Sequence, residues 1–180
     1  VTVAVVLGGA SGVWSELTLF ESMLGRRADV VVACNDAGAM YPGRLDGWCT
    51  LHHEKFARWR ERRRGNPDYR AFTIKHCHDC QDTELLAERW PGSSGLYAAQ
   101  VALEAFSASR VVLCGVPLTM EGRHFFDRNN AWIDAENYRR GFEAALPVIR
   151  EPVRSMSGWT RELLGGPTSE WLTIRAAARL

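Results

Sequence analysis

The sequence predicts an α/β fold: a single doubly wound, mostly parallel Rossmann-like sheet with helices on both faces. Three unbroken apolar runs carry that expectation: Val3 to Leu7, Val30 to Cys34 and Val111 to Cys114. Continuous runs of this kind are the mark of strands covered on both faces. The first run is followed by Gly8-Gly9-Ala10-Ser11-Gly12 and then by Val13, Leu17, Phe20 and Leu24 at helical spacing. Strand, glycine turn and helix in that order open a Rossmann-type crossover. The three runs are expected to lie side by side and parallel at the centre of the sheet.

Residues 92 to 118, GSSGLYAAQVALEAFSASRVVLCGVPL, form the unit around which the rest is organised. Leu96, Ala99, Leu103 and Phe106 recur at helical spacing, while Ala98, Ala102 and Ala105 keep a second face small enough to lie close to a sheet. The turn before this helix, Gly92-Ser93-Ser94-Gly95, offers hydroxyls and N–H groups at a helix N-terminus, where an anion is favoured. The plainer reading is that Ser93 or Ser94 caps the helix. The turn after the strand carries Gly115 and Pro117.

Taken in order, the glycines of the first turn allow close approach of a phosphate or ribose, and equally suit a tight turn with no ligand. The spacing is not G-x-G-x-x-G, so a dinucleotide is not specified. Asn35 and Asp36 end the second strand, where a doubly wound sheet faces its ligand crevice, although Asn-Asp before Gly38 is also a loop signal. Asp46 to Leu51 reads as a third strand, Ala71 to Lys75 as another, and Thr83 to Trp90 as a short helix stopped by Pro91. Beyond Pro117 a polar and aromatic loop holds His124, Asp127, Arg128 and Trp132; a helix over Asp134 to Leu146, a strand over Val153 to Met156 and a helix over Trp159 to Leu164 complete the expected elements. One domain is expected over 1–166, with a helical tail over 167–180 that has no evident partner.

A net charge of +1 predicts no global attraction to nucleic acid or membrane, and no apolar stretch approaches the roughly 20 residues needed to span a bilayer. The dense charge cluster from Lys55 to Arg64, extended by Arg70, reads as a solvated helix face; its alternative is a nucleic-acid contact with Trp59 and Tyr69 as stacking groups. Five cysteines in a chain too long to need staples read as reduced thiols in the cytoplasm, and the N-terminal segment reads as a strand, not a signal peptide. His76-Cys77-His78-Asp79-Cys80 has a composition that suits zinc, completed by Cys49, His52 or His53 if the fold gathers them. There is no second Cys-x-x-Cys, so the expectation is an unliganded loop with no essential metal.

The order VVLGGASG, VVVACND, GSSGLYAAQVALEAFSASRVVLCGVPL and VRSMSGWTRELLG resembles the Rossmann-like fold shared by bacterial CMP-sialic acid-dependent sialyltransferases and archaeal-type hydroxymethylpterin diphosphokinase-like domains. The resemblance covers about half the chain, and Ser-Gly-Leu-Tyr leading into Gly115-Val116-Pro117 is its most specific part. It implies that Gly8, Gly9, Ser11, Gly12, Asn35, Ser94 and Gly95 hold a cytidine nucleotide, and that His124, alone after position 78, is the general base. Three features depart from the family: Ala10 stands where a proline is usual, no aspartate follows Gly115-Val116-Pro117, and the stretch to the last strand is short for a lid.

The expected function is therefore a nucleotide- or nucleotide-sugar-binding transferase, moving a glycosyl or diphosphate group to a hydroxyl acceptor. Gly8, Gly9, Ser11, Gly12, Asn35, Asp36, Ser93, Ser94, Gly95 and Gly115 would line its crevice. His124, with His52 behind it, would act as base, and Mg²⁺ is a candidate companion ion. The alternative is a non-catalytic nucleotide-binding or interaction protein of the same fold.

Overall fold

Seven strands line up in the order β5-β4-β3-β2-β1-β6-β7, every neighbouring pair parallel. They are β1 (Val3–Leu7), β2 (Val30–Cys34), β3 (Gly47–Thr50), β4 (Arg70–Thr73), β5 (Glu84–Leu85), β6 (Arg110–Cys114) and β7 (Val153–Ser155). The computed structural model describes residues 1–63, 65–76, 78, 80–120, 122–125 and 134–173. Among these, seven helices connect or follow the strands: α1 (Val13–Leu24), α2 (Asp36–Met40), α3 (His53–Glu61), α4 (Ser94–Glu104), α5 (Ala135–Ile149), α6 (Gly158–Leu164) and α7 (Ser169–Thr173). The three central strands β2, β1 and β6 are the runs expected there, and they pair as expected.

Side-chain alternation divides the central strands between two cores. Ala4, Val6, Val32 and Leu113 face α4 and the Phe142, Ala145 and Ile149 stripe of α5. Val5, Leu7, Ala33, Val112 and Cys114 face Val13, Leu17 and Phe20 of α1, Phe56 and Trp59 of α3, and Trp171. Chain direction explains the division. Right-handed crossovers carry β1 to β4 outward along one face, and α4 must return over the other face to bring β6 to the far side of β1. Hence α4 lies under the sheet with Gly95 through Ala102 all buried. Its alanines let it approach the sheet, and its polar groups find partners: Gln100 donates to Ala87 O at 2.9 Å and accepts from Arg89 N–H at 3.0 Å, and the Tyr97 hydroxyl donates to Leu86 O at 2.9 Å.

Those bonds correct one expected element. Thr83 to Trp90 is not a helix but an extended segment, whose Glu84 and Leu85 pair with Phe72 and Thr73 as β5. Leu86 N–H donates to Thr73 O at 3.1 Å, and α4 takes up the backbone groups beyond it. Tertiary partners for the backbone outweigh local helical spacing here. A second difference is α5, which runs through Pro147 to Ile149. Proline lacks one N–H, but the burial of Ile149 on the core face and the Arg150 N–H to Leu146 O bond (3.0 Å) hold the last turn. A third is α2, a helical turn where the sequence indicated ligand-facing or loop residues.

The tail finds a partner over its described part. The guanidinium groups of Arg110 (5.1 Å to the ring centroid) and Arg154 (4.9 Å) both pack on the Trp171 ring. Its indole N–H donates to Glu151 O at 3.1 Å, and Arg110 Nε donates to Trp171 O at 3.1 Å. Arg110 is only 1% exposed, and Glu151 meets its charge at 2.6 Å. Residues 174–180 lie outside the described residues. Trp171→Ala should lower unfolding free energy in urea by about 3 kcal/mol, because it removes a large buried ring and strips cover from a buried guanidinium. A loss well under 1 kcal/mol would show that α7 adds little to the fold.

Candidate functional site

In an open parallel sheet the crevice forms where strand order reverses, outside the carboxyl ends of the strands. Here that point lies between β1 and β6. Gly8 N–H donates to Cys114 O (2.8 Å) and Ala10 N–H to Gly115 O (3.1 Å), so the two turns continue the pairing of their strands. A Cβ on Gly8 would lie 2.3 Å from Gly115 O, and one on Gly115, at φ +73°, would lie 2.6 Å from Val13 Cβ. These two glycines are required by the chain's approach to itself. Gly95 is a third case: a Cβ there would meet Val116 Cγ1 at 2.7 Å, where α4 packs against the β6 turn.

Residues 123–125 fold back onto the first turn. Ser11 N–H donates to Arg123 O (2.9 Å) and Phe125 N–H to Gly9 O (3.0 Å), with Ala10 and His124 bridged antiparallel between them. The bridge lays the half-buried His124 ring over Gly9, where a Cβ would stand 3.1 Å from Nδ1. The predicted base and the predicted glycine turn are thus brought together. Asp127, Arg128 and Trp132 of the same loop lie outside the described residues.

A residue that the sequence reading passed over sits at the same point. Glu16, in the first turn of α1, accepts from Gly115 N–H at 2.7 Å through Oε2 and from the Ser157 hydroxyl at 2.6 Å through Oε1. It joins the turns after β1, β6 and β7. An acidic residue in a first helical turn reads as a partner for the helix dipole, which hides this role. The floor below is also fixed: Thr160 donates to Val116 O (2.6 Å), and Arg139 donates twice to Leu118 O (3.0 and 2.9 Å).

The other candidates are more dispersed. Ser93 is the N-cap of α4, its hydroxyl accepting from Leu96 N–H at 3.2 Å, and Ser94 lies half-buried in the first turn. Asn35, at φ +50°, accepts from Thr50 through its side chain (2.8 Å) and from Trp48 Nε1 through its carbonyl (2.9 Å), so it ties β2 to β3; Asp36 begins α2 beside it. His52 is 49% exposed, 3.6 Å from Glu54, and does not join the switch point. One cavity of about 360 Å³ adjoins the α4 N-terminus, between Pro91-Gly92 and Tyr138, Arg140 and Gly141 of α5. Another of about 280 Å³ lies by Arg27, Asp29 and Arg44. Trp14 stacks on Tyr41 (6.1 Å) and meets Phe125 edge-on (5.4 Å), placing an aromatic rim beside His124.

The arginine-rich segment is engaged by the fold. Arg60 pairs bidentately with Asp82 (2.6 and 2.7 Å) and Arg70 with Glu84 (2.7 Å twice). Arg63 donates to the carbonyls of Gly38, Tyr41, Gly43 and Asn66, and burial pushes its pKa down. Trp59 is 7% exposed and packed in the core, so it is no platform for a base. Arg64, Cys77 and Asp79 lie outside the described residues; of the cluster's neighbours, His76 and His78 are exposed and Cys80 is buried. No group of three or more His, Cys, Asp or Glu able to hold a metal occurs among the described residues, and no described helix is long and apolar enough to cross a membrane.

No family model, characterised protein or solved structure matches this chain. Its chemistry is therefore read from its own residues.

Thiol chemistry at the sheet is disfavoured. Burial pushes the Cys34 thiol up to about 12, and raises those of Cys49 and Cys114 well above their ordinary value. A protonated, buried thiol is a poor nucleophile. Iodoacetamide at pH 8 should leave these three cysteines unmodified in the native protein and label them after denaturation, as peptide mapping would show. Native labelling of any of them would mean that the central strands open.

Proposed function

We propose that the chain binds a nucleotide or nucleotide-sugar at the carboxyl ends of β1 and β6 and transfers its activated group to an acceptor hydroxyl. His124 takes the acceptor's proton. One observation carries the reading: at the point where strand order reverses, the Ala10–His124 bridge holds an imidazole against the Gly9 backbone. Histidine titrates near neutral pH, so it suits a general base, and Gly9, having no side chain, lets that ring lie against the turn. Trp14 and Phe125 add apolar faces against which a base packs.

A second reading, nucleotide binding without catalysis, is favoured by the backbone donors. The N–H groups of Gly8, Ala10, Ser11 and Gly115 all donate within the protein. Fewer preorganised donors are then left to stabilise a leaving phosphate. Nucleic-acid binding through residues 55–64 has less support, since Arg60 and Arg63 are held by internal partners and Trp59 is buried.

A thermal-shift panel of nucleoside monophosphates and nucleotide-sugars tests the common part of both readings. A ligand at 100 times its Kd should add about 2.7 kcal/mol of stability. Gly9→Val puts a branched side chain on the turn that the ligand approaches, its Cβ 3.1 Å from His124 Nδ1, so it should block the ligand and abolish the shift. If no nucleotide shifts the melting temperature, the proposal fails. Where turnover is found, His124→Ala should lower it about 100- to 10,000-fold with affinity little changed. Full turnover in that variant would leave only the binding reading.

A further inference from the structure

We infer that Glu16 receives the ribose hydroxyls of the ligand, which keeps the phosphate away from the Gly115 and Ser157 donors and leaves it to the His124 side of the crevice. The inference rests on the nucleotide reading above and specifies which end of the nucleotide the crevice takes.

The donors that an α/β sheet usually turns toward a phosphate are backbone N–H groups in the turns after its strands and small hydroxyls beside them. Here the Gly115 N–H and the Ser157 hydroxyl are such donors, and both already serve one carboxylate, at 2.7 and 2.6 Å. A carboxylate held by two charge-assisted bonds is a fixed negative charge. Among the described residues no Lys, Arg or His pairs with Glu16; its bonds go to Gly115, to Ser157 and, through the helix backbone, to Gly12. A second anion at this point would meet that charge at short range, whereas a neutral diol would not.

Acceptor capacity remains. Each carboxylate oxygen has two lone pairs, and one on each is taken, so two are left to accept from a pair of adjacent hydroxyls. Gly12 leaves the approach open: a Cβ there would stand 3.1 Å from Glu16 Oε1, and the glycine has none. A vicinal diol is the neutral group of a nucleotide that matches two acceptor oxygens on one rigid carboxylate. Asp36 at the end of β2 is the competing acceptor, but it lies on the other side of β1 from β6 and β7, whose turns hold Glu16.

The test is calorimetric titration of the full chain with adenosine, cytidine, guanosine and uridine, each beside its 2′,3′-dideoxy analogue and its 5′-monophosphate. For the preferred base, the ribonucleoside should bind at least about tenfold more tightly than the dideoxy analogue, the usual effect of hydrogen bonds to a charged group. In Glu16→Gln that ratio should fall to about threefold or less, and in Asp36→Asn it should persist. Gly12→Ala, which narrows the approach while keeping the carboxylate, should lose the same discrimination and covers the case in which Glu16→Gln fails to fold. Equal binding of ribo- and dideoxynucleosides by the unaltered protein, or loss of discrimination only in Asp36→Asn, would overturn the inference and leave the nucleotide reading standing. Failure of every nucleoside and monophosphate to bind would overturn both.

Discussion

The closeness of the turn after β1 to the turn after β6 is the constraint on which the rest of the molecule depends. Gly8 N–H reaches Cys114 O at 2.8 Å, and a side-chain carbon at position 8 would run into Gly115 O at 2.3 Å. For β6 to lie that near β1, α4 has to cross the sheet from the far edge and come down without bulk. Ala98, Ala99 and Ala102 allow the crossing, and Gly95 allows the landing against Val116. The switch point, and every candidate group around it, follows from that one fit.

The fold was legible where burial on both faces makes a strand apolar throughout. β1, β2 and β6 have no exposed position, so apart from Arg110 their sequences are unbroken apolar runs, with glycine just beyond β1 and β6. It was less legible where backbone partners come from distant residues. Nothing in Thr83 to Trp90 announces that Gln100 and Tyr97 will bond its backbone groups. Likewise the tail that carries Trp171 has no evident partner in the sequence, because Arg110 and Arg154 reach its ring from 61 and 17 positions away. Local spacing carries no information about such partners.

Glycine explains why the site was only partly legible. A missing side chain permits close approach of a ligand and close approach of the protein's own backbone equally well. Gly8 and Gly115 serve the second purpose, whereas Gly95, Gly9 and Gly12 face side chains, those of Val116, His124 and Glu16. His124 could be picked out because it is isolated among the later residues, and the bridge to Ala10 brings it to the turn. Glu16 could not, since its partners Gly115 and Ser157 are 99 and 141 positions away. The basic segment divides: Lys55, Arg58 and Arg62 are exposed as a solvated face would be, whereas Arg60, Arg63 and Arg70 hold neighbouring loops and acidic side chains.

The clamps below the crevice bear on how it would act. Thr160 from α6, Arg139 from α5 and Glu16 from α1 fix the backbone from Gly115 to Leu118 through hydrogen bonds of 2.6 to 3.0 Å. A segment held from three helices does not need a ligand to set its shape, so the entropy of ordering it is lost on folding and not on binding. The same rigidity fixes the Glu16 carboxylate relative to the His124 ring, because the turn from Gly8 to Gly12 is bonded on one side to β6 and on the other to residues 123–125. On the proposed reading, a base and an acceptor on one preorganised frame would discriminate by position as well as by charge. A ligand of that kind would reach the His124 ring with one end and the Glu16 carboxylate, past Gly12, with the other.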